Sequence, residues 1–109
     1  MEVSKETEEK INQLQLFEQS LQNLLVQKQQ FQSQLVEISS AVTELESSNE
    51  SYKIIGNIMV SSKKDDLKKE LETKKETLNI RIKTLEKQEN SIKEKAQKLQ
   101  SDVMEEMKK

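Results

Sequence analysis

Tyr52-Lys53-Ile54-Ile55-Gly56-Asn57-Ile58-Met59-Val60 holds the only glycine and the only tyrosine in the 109-residue chain. Apolar, mostly β-branched residues flank a Gly-Asn pair. That pattern marks a two-residue β-hairpin in which Gly56 takes the positive φ of a type II′ turn. Such a turn sets Ile55 against Ile58 and Lys53 against Val60 on one face, with Ile54 against Met59 and Tyr52 against Ser61 on the other. Both faces are then largely apolar near the turn, although a hairpin with one solvated face should be polar there. The chain also reverses direction here, so the segments on either side must run antiparallel.

Those segments carry heptads. Before the hairpin, Leu14, Leu21, Lys28, Leu35 and Val42 occupy one core position and Phe17, Leu24, Phe31, Ile38 and Leu45 the other. All but Lys28 are apolar, which reads as a coiled-coil seam. Ile11, Leu25, Val26 and Val36 widen the apolar surface beyond it. After the hairpin, Leu71, Leu78, Leu85, Ile92 and Leu99 recur every seven residues, alternating with the weaker series Lys75, Ile82, Glu89, Ala96 and Val103. Folding the chain at the Gly56–Asn57 bond interlocks the two seams: Val42 faces Leu71, Leu35 faces Leu78, Phe31 faces Ile82, Leu21 faces Ile92, Phe17 faces Ala96 and Leu14 faces Leu99. Lys28 falls opposite Leu85 and Glu89 opposite Leu24, and the expectation is that both charges reach out to water along a thin seam. Glu70 with Lys74, Glu89 with Lys93 and Glu94 with Lys98 are expected to pair one turn apart. Ser62, with Asp65 three residues on, is the expected N-cap of the second helix.

The fold class expected is mainly α: a long antiparallel intramolecular coiled coil with one central β-hairpin. It forms a single unit over 1–109, with a first helix over 5–48, a hairpin over 52–61 and a second helix over 63–107. At 1.5 Å per residue each arm of about 40 residues would extend roughly 60 Å.

Composition narrows the function. Charged residues make up 35% of the chain and hydrophobic ones 32%, with no proline, histidine or cysteine. Without His or Cys the commonest acid–base groups, nucleophiles and metal ligands are missing, and a single glycine cannot build a phosphate loop. No enzyme activity, cofactor or metal is therefore expected. Eighteen basic and twenty acidic residues are interspersed to a net charge of −2. That balance offers no basic stripe for nucleic acid or anionic lipid, and no apolar run is long enough for a bilayer. A soluble, cytoplasmic protein is the expectation.

A lone hairpin is marginal in water, and its edges and both greasy faces invite more strands. Hairpins from several chains are expected to share a sheet or barrel, leaving the arms free. The far ends of the arms gather Met1, Val3 and Ile11 with Val103, Met104 and Met107, a candidate adaptable apolar tip.

The Tyr52–Val60 run, followed by Leu67-Lys68-Lys69-Glu70-Leu71-Glu72 and Lys83-Thr84-Leu85-Glu86-Lys87-Gln88-Glu89, resembles the β-class subunits of prefoldin, also called GimC. One hairpin matches the β class, since α-class subunits carry two, and the short termini are similar to the archaeal form. The resemblance implies a hexamer of two α-class and four β-class subunits, α2β4, whose hairpins build a double β-barrel platform. Tyr52, Ile54, Ile55, Gly56, Ile58, Met59 and Val60 would build that platform. Met1, Val3, Ile11, Val103, Met104 and Met107 would hold non-native client polypeptides at the coiled-coil tips without ATP. The clients would then pass to a group II chaperonin. The competing reading is a structural coiled-coil tether or scaffold that binds one defined partner, which accounts for the heptads but leaves the doubly apolar hairpin without a reason.

Overall fold

The computed structural model describes residues 4–108, in the order helix α1 (Lys5–Ser47), strand β1 (Tyr52–Ile55), strand β2 (Ile58–Ser61) and helix α2 (Lys64–Met107). The chain forms two structural units. One brings α1 up to Lys28 together with α2 from Lys83; the other is Gln29–Ile82. No helix among the described residues is long and apolar enough to cross a membrane.

In the Gln29–Ile82 unit the strands pair antiparallel in the register expected, Tyr52 with Ser61 through Ile55 with Ile58. Gly56 has a φ of 60°, and no other residue type takes a positive φ among the described residues. Positive φ at the first turn position alone is the type II′ signature, whose twist suits the flanking strands. The seam residues Phe31, Leu35, Ile38, Val42 and Leu71 are half-buried, and Leu45, Leu78 and Ile82 are buried. Lys75 is the departure, since it stands exposed where the heptad expects an apolar residue. Arg81, the only arginine in the chain, lies 5.8 Å from the centre of the Phe31 ring, within cation–π range.

The ends of this unit are tied by polar bonds. α1 has no basic residue in its last turn to complement its C-terminal dipole. Lys64, at the start of α2, supplies that charge by donating to the Glu46 carbonyl at 2.8 Å, and Lys68 approaches the Glu46 carboxylate at 3.4 Å. Ser62 is not the cap of α2. Its N–H donates to the Ser51 carbonyl at 3.0 Å and its own carbonyl accepts the Ser51 hydroxyl at 2.5 Å, so the pair closes the base of the hairpin. α2 begins two residues later, where the Lys63 carbonyl accepts the Leu67 N–H at 3.0 Å. The Ser62 backbone is held at the base of the hairpin, one residue short of Lys63, from which the helix starts.

In the other unit Leu14, Phe17 and Leu21 on α1 and Ile92, Ala96 and Leu99 on α2 are half-buried, while Leu24, Leu85 and Val103 are buried. The heptad reading holds throughout this stretch. Its two core charges do not reach out to water as expected. Lys28 Nζ donates to Glu89 Oε2 at 3.3 Å across the seam, with side chains only 18% and 15% exposed, and Lys93 reaches Glu89 Oε1 at 3.2 Å. One helical layer separates Lys28 from Glu89, a gap the lysine stem spans, so pairing removes the cost of leaving either charge alone in the seam.

Candidate functional site

Two surfaces stand out, and each belongs to one unit. The first is the hairpin. Tyr52, Ile54, Ile55, Ile58, Met59 and Val60 are all exposed, from 41% at Val60 to 69% at Ile54. Alternation along each strand places Ile54 and Met59 on one face and Ile55, Ile58 and Val60 on the other. A bare apolar cluster on both faces of one small sheet is what an interaction surface requires, whereas scattered exposed apolar residues are ordinary. The patch continues onto the helices: Tyr52 and Ile54 border an open groove of about 500 Å³ with Ala41, Leu45, Leu67 and Leu71.

What holds the hairpin in place is polar. Lys53, the one charged strand residue, is half-buried and donates to both carboxylate oxygens of Glu70, at 2.7 and 2.9 Å. That bond, with a smaller Coulombic contribution from Lys74, holds the Glu70 carboxyl below its ordinary pKa. Glu70 therefore turns to the hairpin instead of bonding Lys74 as the helical spacing suggested. At the start of β1, the Tyr52 hydroxyl donates to Glu50 Oε2 at 2.9 Å. Gly56 has open space around its α-carbon, so its role is conformational: an L side chain is strained at a φ of 60°.

The second surface lies where α1 begins and α2 ends. Of the residues expected there, Met1 and Val3 lie outside the described residues. Met104 is 57% exposed and Met107 48%. Ile11 is half-buried. Val103, at 7% exposure, lies in the seam where the heptad series also places it, covered by the facing helix. Heptad position decides this, because Val103 continues the Ile82–Glu89–Ala96 series inward while Met104 falls one residue outside it.

The structure adds a polar cluster that the heptads conceal. Ser4 is the N-cap of α1: its Oγ accepts the Thr7 N–H at 3.2 Å and its carbonyl accepts the Glu8 N–H at 3.0 Å. Thr7, only 3% exposed, bonds Ser4 Oγ at 2.8 Å and donates its hydroxyl to Glu106 Oε2 on α2. Lys10 donates to Glu106 Oε1 at 2.5 Å. The Glu106 bond, with Coulombic help from Glu106, Asp102 and Glu6, raises the Lys10 pKa above its ordinary value. In the sequence, the serine followed three residues on by threonine was the available signal, and Thr7 lies one heptad before Leu14.

A family profile described as a prefoldin subunit matches residues 8–109. The chain is 42% identical over 98 residues to the prefoldin subunit beta of Archaeoglobus fulgidus, covering 84% of each chain. With the prefoldin subunit beta of Methanospirillum hungatei it shares 36% identity over 108 residues, 96% of this chain and 90% of the relative. Among solved structures, the crystal structure of the prefoldin beta subunit from Thermococcus strain KS-1 superposes with a TM-score of 0.90 at 33% identity, covering 95% of this chain and 94% of that one.

Proposed function

This chain belongs to the prefoldin family of chaperone subunits, and we propose that it is a β-class subunit of an ATP-independent holdase. The observation that carries the reading is the hairpin, whose six large apolar side chains are exposed on both faces of a two-stranded sheet. Strand addition from other subunits satisfies both edges, and closure of the shared sheet into a barrel brings its apolar faces into packing contact. The partners are further copies of this chain and a two-hairpin α-class subunit, in an α2β4 hexamer with a shared barrel platform. Tyr52, Ile54, Ile55, Ile58, Met59 and Val60 supply its apolar contacts, and Gly56 supplies the turn.

Non-native polypeptides are held at the helix ends, with Met104 and Met107 as the exposed contacts. Thioether side chains are flexible and polarizable and adapt to many apolar shapes. Each such contact is weak, but several chains in one assembly hold a single client through multivalency and release it without hydrolysis. A group II chaperonin then receives the client. The assembly works in the cytoplasm, where clients emerge unfolded.

The test is co-expression with a two-hairpin subunit, followed by mass determination and by aggregation assays on several unrelated unfolded proteins without nucleotide. The full chain and a variant lacking residues 1–10 and 103–109 should both enter the mixed hexamer, and only the full chain should suppress aggregation. Absence of a mixed assembly, or full holdase activity in the truncated one, would refute the proposal.

A further inference from the structure

The most enclosed residue among those described is Thr7, a hydroxyl-bearing side chain one turn into the first helix. Helix ends are where a two-stranded coil frays most readily, and burial normally falls off there. This end is instead closed by bonds reaching from one helix to the other: the Thr7 hydroxyl to Glu106 Oε2 and Lys10 Nζ to Glu106 Oε1, with Ser4 Oγ backing Thr7. Glu106 is thus the shared acceptor on α2 for two donors on α1. Directly beneath lies Val103, buried, one helical turn before Glu106, with the half-buried Ile11 one turn after Thr7.

We propose that Ser4, Thr7, Lys10 and Glu106 form a polar latch that gates how much apolar surface the helix ends present to a client. Closed, the end offers the outward Met104 and Met107. Open, it adds Val103, Ile11 and the seam residues Leu14 and Leu99. This inference rests on the client-holding role proposed above. Polar closure suits a gate better than apolar closure would. A solvated ion pair contributes little net stability and exchanges readily with water, and Lys10 and Glu106 are 29% and 30% exposed. The apolar residues beneath gain from burial either way, against the facing helix or against a client. Glu106 is in this sense a positioning residue, acting on the client through the helix ends it holds together.

Three forms of the co-assembled hexamer test this: the unaltered chain, Glu106→Gln, which keeps one acceptor oxygen but loses the charge, and Glu106→Ala, which removes both bonds. Hydrogen exchange over residues 5–12 and 101–107 should accelerate in that order. In the alanine form the gain should be about fivefold, the net worth of a hydrogen bond, with exchange elsewhere unchanged. Client held per hexamer, read by titration with a chemically unfolded protein, should rise in the same order. A purely structural role would lower client binding on mutation, so the rise is the discriminating readout. Unchanged exchange at the helix ends, or faster exchange with unchanged or reduced client binding, overturns the latch. Failure of the unaltered hexamer to hold any client overturns the holdase role itself and the gating with it, while the exchange data still decide whether the bonds close the end.

Discussion

In the hairpin, Ile54, Ile58 and Met59 stand 69%, 68% and 66% exposed, while at the helix ends Val103 is covered and Thr7 is almost completely enclosed. Both regions are short of chain to build a core, yet they resolve the shortage in opposite ways. The hairpin leaves its apolar surface bare and uses polar bonds only at its base, through Ser51–Ser62 and Lys53–Glu70. The helix ends use polar bonds to cover apolar surface. A permanently bare surface suits a permanent partner, because obligate interfaces resemble a protein core cut in half. A covered one suits a partner that comes and goes.

Experiments that break this contrast differ in size. The largest effect is expected from Ile54→Asp with Ile58→Asp, which places a charge on each hairpin face. Mixed assembly, read by mass in solution, should be lost, while the helical circular dichroism of the chain persists. An intact hexamer would mean that the hairpin is not the permanent interface.

Next in size is the seam. Leu85→Ala should cost about 2–4 kcal/mol, nearer the lower figure because this seam is thin, and show as a clear drop in Tm. Leu16→Ala, at a 61% exposed site on the other side of α1, should change stability by no more than about 0.5 kcal/mol. Similar drops at both sites would mean that Leu16 is covered by something else.

The smallest effect is a pH step. Bonds from Lys93 and Lys28 hold the Glu89 carboxyl below its ordinary pKa. A carboxyl with a depressed folded-state pKa contributes stability above its unfolded value and loses it as pH falls through the folded one. Acidification through and below the usual carboxylate range should therefore lower Tm. The Lys28→Leu/Glu89→Leu chain should be more stable at neutral pH, because a leucine pair packs without desolvating charge, and its acid step should be smaller. An equal acid step in both chains would show that Glu89 contributes nothing to it.

Much of this molecule is legible along the chain. Gly56-Asn57 between β-branched residues specified the turn type and every strand pair, because φ > 0 at one glycine leaves few alternatives. Heptad spacing located Leu24, Leu45, Leu78, Ile82 and Leu85 in the seam, because a helix returns the same face every seven residues. Prominent exposed residues outside the seam, such as Leu16 and Ile80, are invisible to that logic, since a periodic pattern does not say which apolar residues stay uncovered.

By itself the sequence determined the reversal of the chain, the pairing of its strands and most of the residues that line the seam, all of which follow from backbone geometry and repeat length. Only the tertiary structure decided the polar partnerships: Lys28 with Glu89, Lys53 with Glu70 in place of Lys74, Ser62 with Ser51 in place of a cap, and Thr7 and Lys10 sharing Glu106. Burial of apolar groups is non-directional and survives in a one-dimensional pattern. A hydrogen bond depends on a distance and an angle between particular atoms, which exist only once the helices are side by side.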